Sequence, residues 1–222
     1  MRFKLPFFGK RKVGYDIRGE NNKIIIVEED GTERELGKDE RIEGLEVKIS
    51  HSDNNIIKII QPCNFQGARF EFLYSKECRI IIDKSPQFMW NVKLAAGEHE
   101  LFEFGEGSST AWYGEVHILD SNAGVKIGKD CMFSGGIVFL ASDGHRIIDV
   151  ATNKVINDKK EYIEIGDHVW CATGSKFLKG YKVKSNSIVG ANSVVTKKID
   201  EKNVIIAGNP ARICKRNVNW IR

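Results

Sequence analysis

Ile165-Gly166-Asp167-His168-Val169-Trp170, Cys171-Ala172-Thr173-Gly174-Ser175-Lys176, Phe177-Leu178-Lys179-Gly180-Tyr181-Lys182, Val183-Lys184-Ser185-Asn186-Ser187-Ile188, Val189-Gly190-Ala191-Asn192-Ser193-Val194 and Val195-Thr196-Lys197-Lys198-Ile199-Asp200 are six consecutive blocks of six residues. Every block opens on an apolar residue. Neither a helix of period 3.6 nor a strand of period 2 places one apolar residue strictly every six positions. The fourth positions are His168, Gly174, Gly180, Asn186, Asn192 and Lys198. Glycine, asparagine and histidine are enriched where φ is positive, so each block reads as a short strand followed by a tight turn. The fifth position is often serine (Ser175, Ser187, Ser193), a residue small enough for a crowded corner.

The same frame appears upstream in Ile127-Gly128-Lys129-Asp130-Cys131-Met132, Phe133-Ser134-Gly135-Gly136-Ile137-Val138 and Phe139-Leu140-Ala141-Ser142-Asp143-Gly144. Three short sides make a triangular coil of about 18 residues, and stacked coils share one core. A single coil cannot bury its own apolar face, so stacking is obligatory and the end coils need caps. The two runs are out of phase by two residues. Between them, residues 146–162 are polar and break the frame, which predicts a loop thrown out of the stack.

Working outward, residues 1–100 are less regular. Apolar pieces such as Ile24-Ile25-Ile26-Val27 and Ile56-Ile57-Lys58-Ile59 alternate with Asn- or Gly-bearing turns. They read as short strands, either degenerate coils of the same stack or a separate small β domain. The expectation is one all-β domain over residues 1–222. It has irregular coils to 100, regular coils over 101–145 and 163–200, the loop at 146–162, and a C-terminal cap and tail over 201–222.

With a net charge of +4 and no zinc-finger spacing, the chain offers no case for nucleic acid. No apolar run is long enough to span a bilayer. Five cysteines without a C-x-x-C pair, and no export signal, point to reduced thiols, a cytoplasmic location and no metal. Residues 1–12 are basic and aromatic and are expected to be a solvated terminus, with at most peripheral contact to an anionic membrane.

Residues 100–216 resemble the hexapeptide-repeat acyltransferases, whose fold is a left-handed parallel β-helix. The resemblance rests on Ile165 to Trp170, on Ser187 to Lys197, and on Ala207-Gly208-Asn209-Pro210-Ala211, similar to the family's exit motif. The hand comes from the resemblance, because the period alone does not fix it. Ala141-Ser142-Asp143-Gly144-His145 followed by a loop is similar to the branch that O-acetylates capsular or lipopolysaccharide sugars. That branch implies acetyl-CoA as co-substrate, a glycan or sugar acceptor, and a homotrimer with sites between subunits.

Moving an acetyl group from a thioester to a hydroxyl needs a base, oxyanion donors and a groove for CoA. Histidine is the natural base. Of the five, His168 sits in the turn column and reads as a corner, His51 and His99 read as surface, and His117 as either surface or core. His145 falls where the frame breaks, and the resemblance makes it the general base, with Asp143 or Asp149 to orient it. The resemblance also places Trp170 at the acetyl or pantetheine site. A backbone N–H within 171–175 is the expected oxyanion donor. Ala172, Gly174, Ser175, Gly190 and Ala191 offer a slender wall for pantetheine. Lys179, Lys197, Lys198, Arg212 and Lys215 are the candidate phosphate cations. Cys171 lies in an apolar column and reads as core. The expected function is O-acetylation of a cell-surface polysaccharide or its sugar precursor. An amino-sugar N-acetyltransferase and a non-catalytic scaffold are the alternatives. A zinc hydratase on the same fold lacks the close histidine pair it needs.

Overall fold

The computed structural model describes residues 14–196 and 198–222. No helix occurs among them. The chain winds as a left-handed triangular prism with three faces. Face A runs in eight strands from Tyr15–Ile17 through Leu45–Ser50, Ala68–Leu73, Asn91–Ala95, Gly114–Ile118, Ile137–Leu140 and Lys176–Leu178 to Val194–Val195. Face B runs from Lys23–Val27 to Lys182–Val183, with the antiparallel strand Glu33–Glu35 on its N-terminal edge. Face C runs from Ser109–Thr110 through Met132–Phe133, Trp170–Cys171 and Ile188–Val189 to Val204–Gly208, and an antiparallel return, Ala211–Arg216, caps it. Both end strands reverse direction, so an antiparallel neighbour, not another coil, covers the edge at each end.

The block openers form the core columns. Ile127 pairs with Ile165 and Ile165 with Val183; Phe133 pairs with Cys171 and Cys171 with Val189; Phe139 pairs with Phe177 and Phe177 with Val195. All nine are at most 4% exposed. The two-residue phase shift is absorbed in the extruded loop, since Ile165 stacks directly on Ile127. Turn positions behave as their residue types demand. Asp130, Gly136, His168, Gly174, Gly180, Asn186 and Asn192 all have φ between 52° and 74°. Ser142 does not, and opens the loop instead. Ser175, Ser187 and Ser193 are fully buried at the corners.

Coil length differs from expectation. Registers Trp170–Ile188 and Lys176–Val194 give 18 residues per coil. Upstream, Leu45–Ala68, Arg69–Asn91 and Asn91–Glu115 give 22–24. The block frame at 127–139 therefore lies in a longer coil. The reason is strand length: faces A and B carry four- to six-residue strands there, alternating buried and half-exposed. The three faces continue through both kinds of coil. Inside, the Trp90 ring lies 4.8 Å from Phe133, 5.6 Å from Phe139 and 5.8 Å from Phe104, and Phe139 stacks in turn on Phe177 at 4.6 Å, which joins the longer coils to the shorter ones.

Candidate active site

At the A/B corner the chain leaves the prism after Leu140 and returns at Tyr162. Val138 nevertheless pairs with Lys176 on face A, 38 residues on, so the excursion is an insertion into one coil. Its outer part is a small antiparallel turn closed by the Ile148–Val155 bridge. Asp149 caps that turn by accepting from the Thr152 N–H and hydroxyl, each at 2.7 Å.

The inner part borders a polar cleft of about 390 Å³ lined by His145, Arg146, Asp143, Asn157, Lys160 and Lys179 among others. Neighbouring coils pin it from both sides. Lys160 Nζ meets Asp120 Oδ1 at 3.0 Å, one coil below. Lys179 Nζ, one coil above, donates to Asp143 Oδ2 and to the Asn157 carbonyl, each at 2.5 Å. Burial alone would raise the Asp143 carboxyl. Hydrogen bonds from Lys179 and Asn157, together with the lysine charge, outweigh it and hold the group below the usual carboxylate range.

Asn157 fixes the backbone around His145. Its Nδ2 donates to Asp143 Oδ2 (2.7 Å) and to the His145 carbonyl (2.8 Å), and its Oδ1 accepts from the Ile147 N–H (2.8 Å). Gly144 precedes the histidine at φ +73°, with open space where a Cβ would stand, so the requirement there is conformational. The result is a rigidly held main chain and an exposed imidazole. Asp143 and His145 share this cleft, while Asp149 is committed to its own turn.

The other histidines are engaged elsewhere. His51 stacks on Tyr74, His99 pairs with Glu77, and His117 Nε2 lies 3.0 Å from Glu115 Oε2. His168 is a corner residue, as its column predicts. Cys171 is fully buried, and burial drives its thiol well up.

Trp170 is half-exposed on the outside of face C, and its Nε1 has no partner. It is not part of the lining of the His145 cleft, so one chain does not unite the two residues. Beside it, Ala172 stacks on Gly190 (Ala172 N to Val189 O, 2.9 Å) and Gly190 under Ala207, where a Cβ on Gly190 would stand 2.9 Å from the Ala207 methyl. Gly174 and Ala191 lie on the same C/A corner, giving a narrow stripe of small residues. Two expectations change here. Ser175 is fully buried, so its side chain faces the core and cannot touch a ligand. Lys179 belongs to the cleft, where Asp143 and the Asn157 carbonyl already hold it. Lys198 is exposed and 3.9 Å from Glu161; Arg212 and Lys215 are exposed on the capping strand. Lys197 and residues 1–12 lie outside the described residues. Of the backbone N–H groups in 171–175, those of Ala172, Gly174 and Ser175 are taken by the Val189, Gly135 and Ala172 carbonyls. Sequence reasoning missed Asn157 and Asp120, because only the folded loop brings them beside His145.

No family model matches the chain. A polysialic acid O-acetyltransferase of Escherichia coli O1:K1 / APEC is 35% identical over 105 residues, which are 47% of this chain and 34% of that protein. The chain thus spans about a third of the length of that curated relative. An uncharacterised 24.8 kDa protein in the cps region of Klebsiella pneumoniae is 36% identical over 175 residues, 78% of this chain and 68% of the relative. The solved polysialic acid O-acetyltransferase OatWY superposes with a TM-score of 0.67 at 23% identity, covering 94% of this chain and 92% of that one, which is agreement in fold. With the stacked six-residue frame and the loop that carries His145, these likenesses establish that the chain belongs to the hexapeptide-repeat family of the left-handed β-helix fold, whose similar members include polysialic acid O-acetyltransferases.

Proposed function

We propose that the protein is an O-acetyltransferase that carries acetyl from acetyl-CoA to a hydroxyl of a cell-surface polysaccharide or its sugar precursor. One observation carries the reading: the His145 imidazole projects into a polar cleft while Asn157 and Gly144 fix its main chain. The likeness to a polysialic acid O-acetyltransferase supports the glycan acceptor.

Acetyl-CoA supplies the thioester. His145 takes the acceptor hydroxyl proton as the oxygen attacks the thioester carbonyl, then returns it to the departing thiolate, leaving an acetyl ester and a free CoA thiol. Trp170 and the small stripe beside it (Ala172, Gly174, Gly190, Ala191) are the wall for pantetheine.

The site is completed by a second copy in a homotrimer. Outward residues of the C-terminal coils are apolar and half-exposed: Met132, Trp170, Ile188 and Ile205 on face C, Val138, Leu140, Leu178 and Val194 on face A. The loop beside His145 carries exposed aliphatics of its own, Ile147, Ile148, Val150 and Ile156. Such surfaces on one chain favour burial against copies of it. A shared interface brings the His145 loop of one copy to Trp170 of the next.

The test is CoA thiol release from acetyl-CoA with glycan and amino-sugar acceptors, wild type against His145→Ala. A fall of about 10²–10⁴ in kcat is expected. Full activity in the variant sinks the assignment, and sedimentation as a stable monomer removes the shared site.

A further inference from the structure

The C-terminal segment, residues 217–222, turns back along the B/C corner. Each corner residue there has positive φ: Gly107, Asp130, His168, Asn186 and Asn203. The segment descends that column against the direction of winding. The Val218 N–H donates to the Asn203 carbonyl at 3.1 Å. Trp220 lies flat on His168, with centroids 4.3 Å apart and 8° between planes. Its Nε1–H donates to the His168 carbonyl (2.9 Å), and its own carbonyl lies 3.0 Å from His168 Nε2. His168 Nδ1 meets Asp130 Oδ2 at 2.6 Å, so acceptors hold the imidazole at both edges. Arg222 ends the run on Ser109 Oγ (2.8 Å) and Asp130 Oδ1 (3.2 Å).

A cap that only closed the last coil would stop near Asn203. This segment reaches three coils further, and its one aromatic side chain, 6% exposed, comes to rest beside Trp170, centroids 6.4 Å apart and tilted by 48°. Trp170 otherwise stands on an open face between Met132 and Ile188, with nothing aromatic above or below it in the ladder.

We propose that residues 217–222 form a strap whose Trp220 is a positioning residue: held by His168, it sets the tilt of the Trp170 indole and so shapes the acetyl-donor wall. The consequence for catalysis rests on the acetyltransferase reading; the placement of Trp170 does not. Trp220 itself touches no reacting atom.

The experiment uses the full chain, ¹⁵N-labelled at tryptophan, with the four indole cross-peaks assigned by single Trp→Phe variants. Trp220→Ala is expected to shift and broaden the Trp170 indole peak. It is also expected to raise KM for acetyl-CoA about three- to tenfold, the size of one lost aromatic pair, with kcat little changed. Trp220→Phe keeps the stacked ring and is expected to restore KM to near wild type. Should Trp220→Ala fail to fold, Arg222→Ala loosens the exposed end of the same strap and is read the same way. An unmoved Trp170 peak overturns the strap, whatever the activity. A moved peak with unchanged KM and kcat overturns its role in donor binding. Absence of any turnover in wild type counts against the acetyltransferase reading instead, and the indole spectrum still decides the strap.

Discussion

The two halves of the prism solve opposite problems with one winding rule. Coils before Gly124 are long, with an aromatic interior: Phe88 packs against Phe65, Phe70, Trp90, Phe102 and Phe104 within 6.2 Å. Their outsides carry cross-strand charges, as in Lys48–Glu71, Arg69–Glu46 and Lys58–Glu33. Coils after Tyr162 are shorter, with smaller interior residues (Cys171, Val183, Val189, Val195) and outsides on faces A and C that are largely apolar. The first half is finished when it folds. The second leaves apolar surface uncovered at the place where the cleft and Trp170 lie. The large aromatic core is concentrated in one half, and the uncovered apolar surface in the other.

That contrast can be broken at its seam. Trp90→Ala should cost about 3–5 kcal/mol, the usual range for emptying a buried aromatic site. Denaturation should show both halves losing stability together, because Phe133 and Phe139, on which the ring packs, stack in turn on Cys171 and Phe177 of the C-terminal coils. Separate transitions for the two halves would refute the shared core.

Next in size is assembly. Ile188→Glu, on the apolar outside of face C, should convert the proposed trimer to monomers in sedimentation. Ile81→Glu, equally half-exposed but between Lys58 and Glu103 on face B, should leave it intact. Dissociation by both variants, or by neither, would erase the distinction between the halves.

A smaller effect lies inside the first half. Glu100 is 1% exposed; Ser75 Oγ donates to its Oε2, Cys78 lies beside it, and its Oε1 has no partner. Burial, with a minor contribution from Asp120, pushes its carboxyl up to about 8 against the hydrogen bonds of Cys78 and Ser75. Between its ordinary value near 4.5 and 8 the folded chain holds a proton that the unfolded chain has released. Stability attributable to this group therefore falls as pH rises across that window and levels off above it. Glu100→Gln should flatten that slope and melt higher than wild type at pH 8. A profile identical to wild type would contradict it. The smallest effect is expected at the surface, where Lys48→Ala should cost about 0.2–1 kcal/mol in a denaturant titration.

The C-terminal coils were legible because each side of the prism takes one block of six, and every column repeats a residue type. The N-terminal coils hid the same rule. Several of their corners are turned by Tyr74, Glu77, Lys84 and Ala96, all at positive φ, residues that carry no turn signal in sequence. Stacking pressure from the coils on either side overrides their local preference. His145 was legible as the point where the frame fails. The strap was not: Arg222 and Ser109 are 113 residues apart, and nothing local to either announces the other.

Because Val138 and Lys176 pair as though the intervening loop were absent, the register of the coils is indifferent to what is inserted at that corner. Each doubling of such a loop costs only about 0.6 kcal/mol in closure entropy. Length and composition there can drift through evolution, or be rewritten by grafting, while the prism stays unchanged. On the proposed O-acetyltransferase reading, the acceptor is thus free to vary on a scaffold that does not.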